Sequence, residues 1–303
     1  MAAGGRWPAV VGLSLVVMLQ AVVQPALLVF VPLGLLLVAL PSRPRQLYLL
    51  GLGVLLLVLT LLIGQHVDML WYAQRGWVLV LGAWFIAVVV AWPQATFISR
   101  ALAAVAGSAG TASLVFLFRR APWQQLDWTI GQLCRQVAAT FVAQANAGAE
   151  GREFADAMMH AADLAARFYP AAVGLGSVAA LGLAWWAYRR LVAWESPLGL
   201  LRDFRFSDDL VWVLIAGLAL VVAPLGDVAA RFGGNVLGFM AALYALRGLA
   251  VVVALVGMPG VVGTVVVAIV ALVLLPIMMM SAAVLGITDT WLDLRTRVRS
   301  GME

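Results

Sequence analysis

The sequence is poor in charged residues and contains no lysine. Only 11% of the 303 residues are charged, and all nineteen basic residues are arginines. A soluble domain carries about 25% charged residues, so water could not solvate the surface of a folded chain with this composition. Hydrophobic residues make up 64% of the sequence. The composition therefore predicts that the solvent around the folded chain is lipid.

Cysteine and histidine are almost absent as well. The single cysteine, Cys134, can form neither a disulfide within the chain nor a cysteine metal cluster. His66 and His160 are far apart and lack the spacing of metal ligands. The sequence also lacks the zinc-protease helix motif, the serine nucleophile elbow and the phosphate-binding loop of ATPases. We therefore expect no enzymatic activity, no metal or other cofactor, and no ATPase on this chain.

The net charge of +5 does not indicate a nucleic-acid partner. The arginines are scattered among loops and helix ends, without a basic stripe interleaved with aromatic residues. Arginines at helix ends are instead typical of anchoring at a membrane interface. The partner that these features predict is the lipid bilayer, and we expect a multi-pass protein of the inner (cytoplasmic) membrane.

The apolar runs predict helices rather than a barrel. Backbone polar groups cannot remain unpaired in lipid, which leaves only helices or closed barrels as membrane-crossing structures. The runs here are continuous and many approach 20 residues, whereas barrel strands alternate over about ten residues. We predict an all-α fold, a polytopic transmembrane helix bundle that forms a single integral membrane domain over residues 1–303.

The runs correspond to about eight spans of membrane-crossing length. The predicted spans are 10–40, 48–64, 77–92, 101–118, 170–188, 209–222, 235–256 and 261–285. The first covers 31 residues and contains Pro25 and Pro32. It is therefore either one long kinked helix or two half-helices, which would make about nine spans. The arginine distribution favours eight, with both termini in the cytoplasm.

Residues 121–169 form the one substantial polar region. Apolar residues recur in it at steps of three and four on both sides of a break near Gly148, which predicts an amphipathic helical hairpin between spans 4 and 5. This region contains three arginines and five acidic residues, so its net charge is negative and the hairpin is not a polybasic lipid-binding element. A polar C-terminal tail occupies 287–303. The fourth span, 101–118, is rich in small residues, and we expect it to be packed inside the bundle.

Arg247 is the first candidate binding residue, because an arginine within a span costs at least a few kcal/mol and usually faces a polar cavity or an acidic partner. Tyr244 precedes it, and Asp227 is a candidate partner on the preceding loop. The functional interpretation is an anion- or substrate-binding residue in a polar cavity. The alternatives are a structural ion pair and an arginine that reaches the interface.

Two further residues complete the candidate substrate-binding set. Asn235 follows two glycines at the predicted start of a helix, so helix capping is the favoured interpretation of its side chain. Gln24 precedes Pro25 in the interrupted first segment, and broken helices often line the binding sites of transporters.

Near the C-terminus, Asp289, Asp293 and Arg297 recur at four-residue steps and therefore share one helical face. The order of Asp293 and Arg297 suits an ion pair on the surface of a helix. We interpret Asp289 and Asp293, together with Arg295, as a partner-facing or structural motif.

The C-terminal third resembles a known family. The segments that carry the resemblance are Arg-Phe-Ser-Asp-Asp-Leu-Val-Trp at 205–212, Gly-Asn-Val-Leu at 234–237, Tyr-Ala-Leu-Arg-Gly-Leu-Ala at 244–250 and Leu-Gly-Ile-Thr-Asp-Thr-Trp-Leu-Asp-Leu-Arg at 285–295. They are similar to those of the YybS-like family of bacterial multi-pass membrane proteins, which are similar at a distance to the substrate-capture components of energy-coupling-factor vitamin transporters. The resemblance implies a helical bundle with a small-molecule cavity and a coupling partner in the cytoplasm. Arg247 departs from it, since that family has an uncharged polar residue before this glycine.

Two functional hypotheses follow. The first is a small-molecule-binding or transport component without its own ATPase, which is favoured by the interrupted first segment and by Arg247. The second is a non-transport scaffold or assembly factor that binds a cytoplasmic or membrane protein through the 121–169 hairpin and the C-terminal tail. The first predicts an enclosed polar pocket beside Arg247, and the second predicts a solid bundle.

Overall fold

The computed structural model describes residues 25–40, 51–53, 69–144, 149–193, 204–257 and 275–293. Helices account for nearly all of these residues, and there is no strand among them. The helices are α1 (Pro25–Ala39), α2 (Met69–Ala91), α3 (Phe97–Phe118), α4 (Arg120–Gln144), α5 (Ala149–Ala193), α6 (Val211–Val222), α7 (Asp227–Val256) and α8 (Leu275–Leu292), with a 3₁₀ turn at Asp208–Leu210 before α6. The predicted all-α fold is confirmed for this part of the chain.

Four of the described helices are long and apolar enough to cross a membrane. They are Met69–Ala91, Phe97–Phe118, the stretch Arg152–Val192 of α5, and the stretch Asp227–Leu255 of α7. α1 and α8 are apolar but shorter. α6 has 12 residues and extends over about 18 Å, less than the roughly 30 Å of a hydrocarbon core. A multi-pass helical membrane protein is thus confirmed, whereas the total of about eight spans stays a prediction.

The chain divides into two compact units. We call the unit of residues 20–134 and 172–198 the Arg100 unit, and the unit of residues 1–19, 135–171 and 199–303 the Arg247 unit, after the buried arginine in each.

In the Arg100 unit, α2 packs against both α1 and α3. Phe85 of α2 is fully buried and makes edge-to-face contacts with Phe97 and Trp185. The indole N–H of Trp84 donates to the hydroxyl of Thr111 at 3.0 Å, so the polar end of this large side chain has a partner inside the unit. Pro32 lies inside α1 without ending it, so the described part of the first segment is one helix rather than two.

The expectation that the fourth predicted span lies inside the bundle is wrong for the C-terminal half of α3. Ala101, Ala104 and Ser108 are buried, but Leu117 and Phe118 are largely exposed. Small residues allow close packing, and the Trp84 side chain does lie over Gly107. The large residues in the last turns of α3 have the exposure expected of a lipid-facing surface.

The structure joins two elements that the sequence separates. α5 continues from Ala149 to Ala193 through Pro170, where the sequence predicted the start of a new span. On the amphipathic part, Arg135 of α4 forms an exposed ion pair with Asp163 of α5 at 3.1 Å. This contact is compatible with the predicted hairpin, whose turn residues 145–148 lie outside the described part of the chain.

In the Arg247 unit, α7 packs against α6 on one side and α8 on the other. α7 begins at Asp227 after Gly226, whose φ of 89° favours glycine, and not at Asn235 as predicted. Gly233 lies inside the helix, where a Cβ atom would come within 2.7 Å of the Gly217 carbonyl oxygen of α6. The glycine that appeared to interrupt the helix therefore permits close packing of α6 on α7.

The contact between α7 and α8 is tighter still. A Cβ atom at Gly248 of α7 would clash with the carbonyl oxygen of Ala282, and one at Gly286 of α8 would clash with the carbonyl oxygen of Tyr244. The two backbones therefore touch where both helices lack a side chain. This crossing fixes the register of α8 along α7 and determines which of their polar residues meet.

Candidate functional site

Arg247 is a deeply buried charged group, with 2% of its side chain exposed. Its Nε donates to Oδ2 of Asp289 at 3.0 Å, and its Nη1 donates to Oδ1 of Asp208 at 2.6 Å. The guanidinium is thus held by two carboxylates that come from different parts of the sequence. A charge buried without such partners would cost several kcal/mol.

The backbone crossing explains how the two residues of the buried pair meet. Arg247 directly precedes Gly248, and Asp289 follows Gly286 by three residues, which is nearly one helical turn. Because the two glycines bring α7 and α8 into backbone contact, the side chains next to them are at salt-bridge distance. The pair joins residues that are 42 positions apart in the sequence.

The two carboxylates differ in their surroundings. The side chain of Asp289 is completely buried, whereas 62% of the Asp208 side chain is exposed. Asp208 lies in the 3₁₀ turn before α6, which Ser207 caps by accepting the backbone N–H of Asp209. The ionic cluster therefore extends from the interior of the unit to its surface.

An aromatic ring lies against the guanidinium. It lies over the ring of Phe206 at 5.4 Å from the centroid, within the range of a cation–π contact. Phe206 in turn packs edge-to-face on Tyr244, with 5.1 Å between ring centroids. The Tyr244 side chain is fully buried beside Thr290, and its hydroxyl forms no contact of full hydrogen-bond geometry with any residue that the structure describes.

A second ion pair lies next to the cluster. Arg205 bonds to the carboxylate of Asp293, and each of these side chains is about half exposed. Asp293 directly follows α8, which ends at Leu292, and its backbone N–H donates to the carbonyl of Asp289. Arg205 precedes Phe206 in the segment before α6. The segment 204–210, α7 and α8 therefore contribute alternating charges to one site, which we call the Arg247 cluster: Arg205, Asp208, Arg247, Asp289 and Asp293.

The structure corrects the predicted partner of Arg247. Asp227 is exposed at the first position of α7, twenty residues before Arg247 in the same helix. That separation is about 30 Å along the helix axis, so Asp227 cannot pair with Arg247. Asp208 and Asp289 take that place. No metal-binding group of three or more histidine, cysteine, aspartate or glutamate residues occurs among the described residues.

The capping role favoured for Asn235 is also wrong, because this residue lies two turns inside α7. Its side-chain amide instead bonds to the backbone of α5 on either side of Pro170, where the proline disturbs the hydrogen bonds within that helix. Oδ1 accepts the backbone N–H of Ala171 at 3.0 Å, and Nδ2 donates to the carbonyl of Arg167 at 3.0 Å. A regular helix pairs those two groups with each other. Asn235 therefore bridges the helix ladder next to the proline and joins α7 to α5.

Arg231 contributes to the same contact. Pro170 has no N–H with which to bond the carbonyl of Ala166, four residues earlier. The guanidinium of Arg231 donates to that carbonyl at 3.3 Å. The side chains of Arg231 and Asn235 thus compensate for the backbone bonds that a proline within a helix disturbs, which is a structural role.

Two of the predicted site residues lie outside the described part of the chain. Gln24 directly precedes α1, and Arg295 follows the last described residue, Asp293. The sequence interpretation also missed contributors to the site. Asp208 and Phe206 both lie in the segment 205–212, for which the sequence indicates a family resemblance but no role for either side chain.

The other unit contains a buried arginine that the sequence did not single out. Arg100 of α3 is 9% exposed and donates to the carbonyls of Trp92 and Pro93, which directly follow α2. Its guanidinium also lies 5.6 Å from the Trp185 ring centroid. Arg100 thus satisfies carbonyl groups that a helix C-terminus leaves without intrahelical partners.

Comparison with known proteins places the chain in a family of predicted membrane proteins. A family model described as "Predicted membrane protein (DUF2232)" matches residues 9–290, which is nearly the whole chain. No curated protein matches the chain, and no solved structure matches it either. The matched region includes every described residue of the Arg247 cluster except Asp293. The chain therefore belongs to the family of predicted membrane proteins DUF2232.

Proposed function

We propose that this chain is a small-molecule-binding or transport component of the inner membrane, with neither an ATPase nor another enzymatic activity of its own. The observation that carries the proposal is the environment of Arg247. This arginine is 2% exposed within a candidate membrane span, and it is held by one buried and one exposed carboxylate. Ionisable residues within spans are rare and commonly mark the paths of substrates or ions.

A purely structural role explains this cluster less well. α7 and α8 already meet by backbone contact at Gly248 and Gly286, so their packing does not depend on an ion pair. Buried ion pairs stabilise proteins little compared with apolar side chains of similar volume. A second carboxylate that reaches the surface, that of Asp208, adds nothing to the burial of apolar area. A ligand-binding role accounts for all three charged groups.

The proposal also includes three more detailed features. They comprise about eight spans, kinship with the YybS-like proteins and the substrate-capture components of energy-coupling-factor transporters, and a protein partner that supplies energy. The segments 205–212 and 285–295 support the kinship by their sequence, whereas Pro32 does not interrupt α1. The likeness to substrate-capture components is an analogy between folds and does not identify a ligand.

Native mass spectrometry of the purified full chain tests the proposal. We expect the wild-type protein to retain a non-lipid small molecule, and the variant Arg247→Gln to lose it. The variant Arg135→Gln is the matched control, because it removes an arginine from an exposed ion pair with Asp163. It should retain the molecule. Arg247→Lys, which keeps the charge, provides a second variant in case the glutamine variant does not fold.

A different result of the same experiment would contradict the proposal. A wild-type protein without any small molecule, but with a protein partner at fixed stoichiometry, favours the scaffold or assembly factor. One observation supports that alternative: Trp128 on the amphipathic helix α4 is 66% exposed. Tryptophan is enriched at the centres of protein interfaces. In that case Trp128→Ala should release the partner and Arg247→Gln should retain it.

The C-terminal tail contributes less to that alternative than its sequence suggested. Asp289 is buried against Arg247, and Asp293 pairs with Arg205 of the same chain. Both carboxylates are therefore engaged within this chain. A partner would have to bind residues 294–303, which lie beyond the described residues.

A further inference from the structure

We infer that the Arg247 cluster is a binding site for a small organic carboxylate, and that the side chain of Asp208 occupies the ligand's position when the site is empty of ligand. This inference rests on the proposed function and names the substrate class of the same site. Its starting point is the difference between the two carboxylates that hold Arg247. One of them is completely buried, and the other has 62% of its side chain exposed.

The buried carboxylate is the permanent partner. Asp289 lies on α8, whose position along α7 is determined by the backbone contact at Gly248 and Gly286. Its separation from Arg247 would leave both charges in an apolar interior, which is strongly unfavourable. Nε of Arg247 is therefore committed to Asp289.

The exposed carboxylate is the exchangeable one. Asp208 belongs to a short 3₁₀ turn, and water can solvate its side chain when the ion pair opens. When the pair opens, water solvates the Asp208 carboxylate, and the buried Arg247 keeps Asp289 as its partner, so no charge is left buried and unpaired. Asp208 can therefore leave Arg247 at a low free-energy cost and return when no ligand is bound.

The guanidinium has more hydrogen-bond donors available to a ligand carboxylate than the number that Asp208 accepts from. Asp208 accepts one hydrogen bond, from Nη1, and within the part of the chain that the structure describes Nη2 makes none. A carboxylate can accept two parallel N–H bonds from the fork of an arginine, a geometry that adds strength and specificity. A small ligand is free to adopt that geometry, whereas the Asp208 side chain is tethered to the backbone.

The residues around the guanidinium indicate which groups a bound carboxylate would contact. Phe206 is 6% exposed and lies against the guanidinium, so it forms an apolar wall. The Tyr244 hydroxyl is buried beside Thr290 and near both Arg247 and Asp208, and it forms no contact of full hydrogen-bond geometry with a described residue. Buried hydroxyl groups are normally hydrogen-bonded. A carboxylate oxygen at this position would accept its proton.

The charge balance favours a monocarboxylate over a phosphate. Arg247 and Asp289 together are neutral, and Asp208 adds one negative charge. Exchange of one carboxylate for another leaves the net charge of the site unchanged, whereas a phosphate dianion would add a second negative charge beside the buried Asp289. A cation is disfavoured by Arg247 itself.

The test compares anion-dependent thermal stability of the detergent-solubilised full chain, followed through its 12 tryptophans. Acetate and benzoate are the probes, with chloride and phosphate as sodium salts at equal ionic strength. The variant Asp208→Ala removes the competing carboxylate. Asp209→Ala is the matched control, because Asp209 is a neighbouring exposed acid that bonds to Ser207 and not to Arg247.

We expect acetate and benzoate to raise the Tm of Asp208→Ala, with a midpoint concentration about fivefold below that of wild type, a factor that corresponds to about 1 kcal/mol. Asp209→Ala should respond as wild type does. The double variant Asp208→Ala/Arg247→Gln should lose the response. If Asp208→Ala does not fold, Asp208→Asn keeps the shape of the side chain without its charge and should behave in the same way.

Two results overturn the inference: an equal response of Asp208→Ala and Asp209→Ala, or a response to chloride and phosphate as large as the response to acetate. The result is separable from that of the proposed function. A co-purifying molecule that depends on Arg247 but lacks a carboxylate leaves the proposed function intact and refutes the inference. Carboxylate binding by Asp208→Ala, with no endogenous molecule in the wild type, supports the site chemistry and contradicts the function.

Discussion

Among the described residues, each compact unit buries one arginine, and the two arginines have different kinds of partner. Arg100 donates to main-chain carbonyls that directly follow α2 and stacks near Trp185, so its partners cannot leave without unfolding the helix end. Arg247 donates to two carboxylate side chains, one of which is exposed. The comparison teaches that burial alone does not identify a functional arginine. What distinguishes Arg247 is a carboxylate partner with an exposed side chain.

The largest effect should come from removal of the permanent partner of Arg247. We expect Asp289→Ala to lower the free energy of unfolding by about 3–5 kcal/mol, because it leaves a buried charge with one exposed partner. Unfolding in mixed detergent micelles measures this change. The double variant Arg247→Met/Asp289→Leu should recover most of the stability, since it removes both charges. A double variant as unstable as the single one would show that the loss comes from packing.

The next effect concerns the backbone contact that presents Arg247 to Asp289. Gly248→Ala should cost about 3 kcal/mol or more, because the new Cβ atom meets the carbonyl of Ala282 and not a flexible side chain. Gly110→Ala is the control, since nothing lies within 4 Å of its Cβ position. That change should leave stability equal or raise it by up to about 1 kcal/mol. Equal losses in both variants would contradict the close crossing.

A smaller loss is expected in the other unit. Arg100→Met should lower the free energy of unfolding by about 1–3 kcal/mol, because two carbonyls lose their donor and Trp185 loses its cation. The acetate response described for Asp208→Ala should be unchanged when Arg100→Met is added to it. A loss of that response would show that Arg100 also takes part in anion binding and would remove the contrast between the two arginines.

The smallest effect is expected for the exchangeable partner. Without added carboxylate, Asp208→Ala should change the free energy of unfolding by less than about 1 kcal/mol, because its ion pair reaches the solvent. The difference from wild type should shrink further as salt is added. A loss as large as that of Asp289→Ala would mean that Asp208 is a second permanent partner.

Much of the fold follows from local sequence patterns. Continuous apolar runs predicted helices, and α2, α3, α7 and α8 all lie over such runs. Helix ends were less predictable. α2 begins eight residues before the predicted start, in a stretch that appeared to be a polar loop. There Arg75 lies over the ring of Trp71, so a charged side chain is accommodated on a helical turn.

Glycine and proline misled the sequence interpretation for a shared reason. Gly233 and Pro170 appeared to mark helix starts, yet each lies inside a long helix. Gly233 is tolerated because α6 packs on its bare backbone, and Pro170 because Asn235 and Arg231 bond the groups beside it. In both cases the compensating residues belong to another helix, so no local pattern could have revealed them.

The sequence predicted some residues of the candidate site but not the contacts between them. Arg247 and Tyr244 could be selected because a charge inside an apolar run is conspicuous. The spacing of Asp289 and Asp293 showed that they share a helical face, but it did not show what that face contacts. The candidate partner that the sequence indicated, Asp227, lies on the segment preceding the span. A rigid helix keeps Asp227 and Arg247 about 30 Å apart.

The sequence by itself thus determined that the chain is a helical membrane protein, and it predicted a polar cavity or an acidic partner for Arg247. Both conclusions rest on the free energy of transferring groups into lipid, which depends on composition and local order. Only the tertiary structure decided which acids those are, and that one is buried and the other exposed. These facts depend on where the backbones of α7 and α8 touch, a contact between residues distant in sequence.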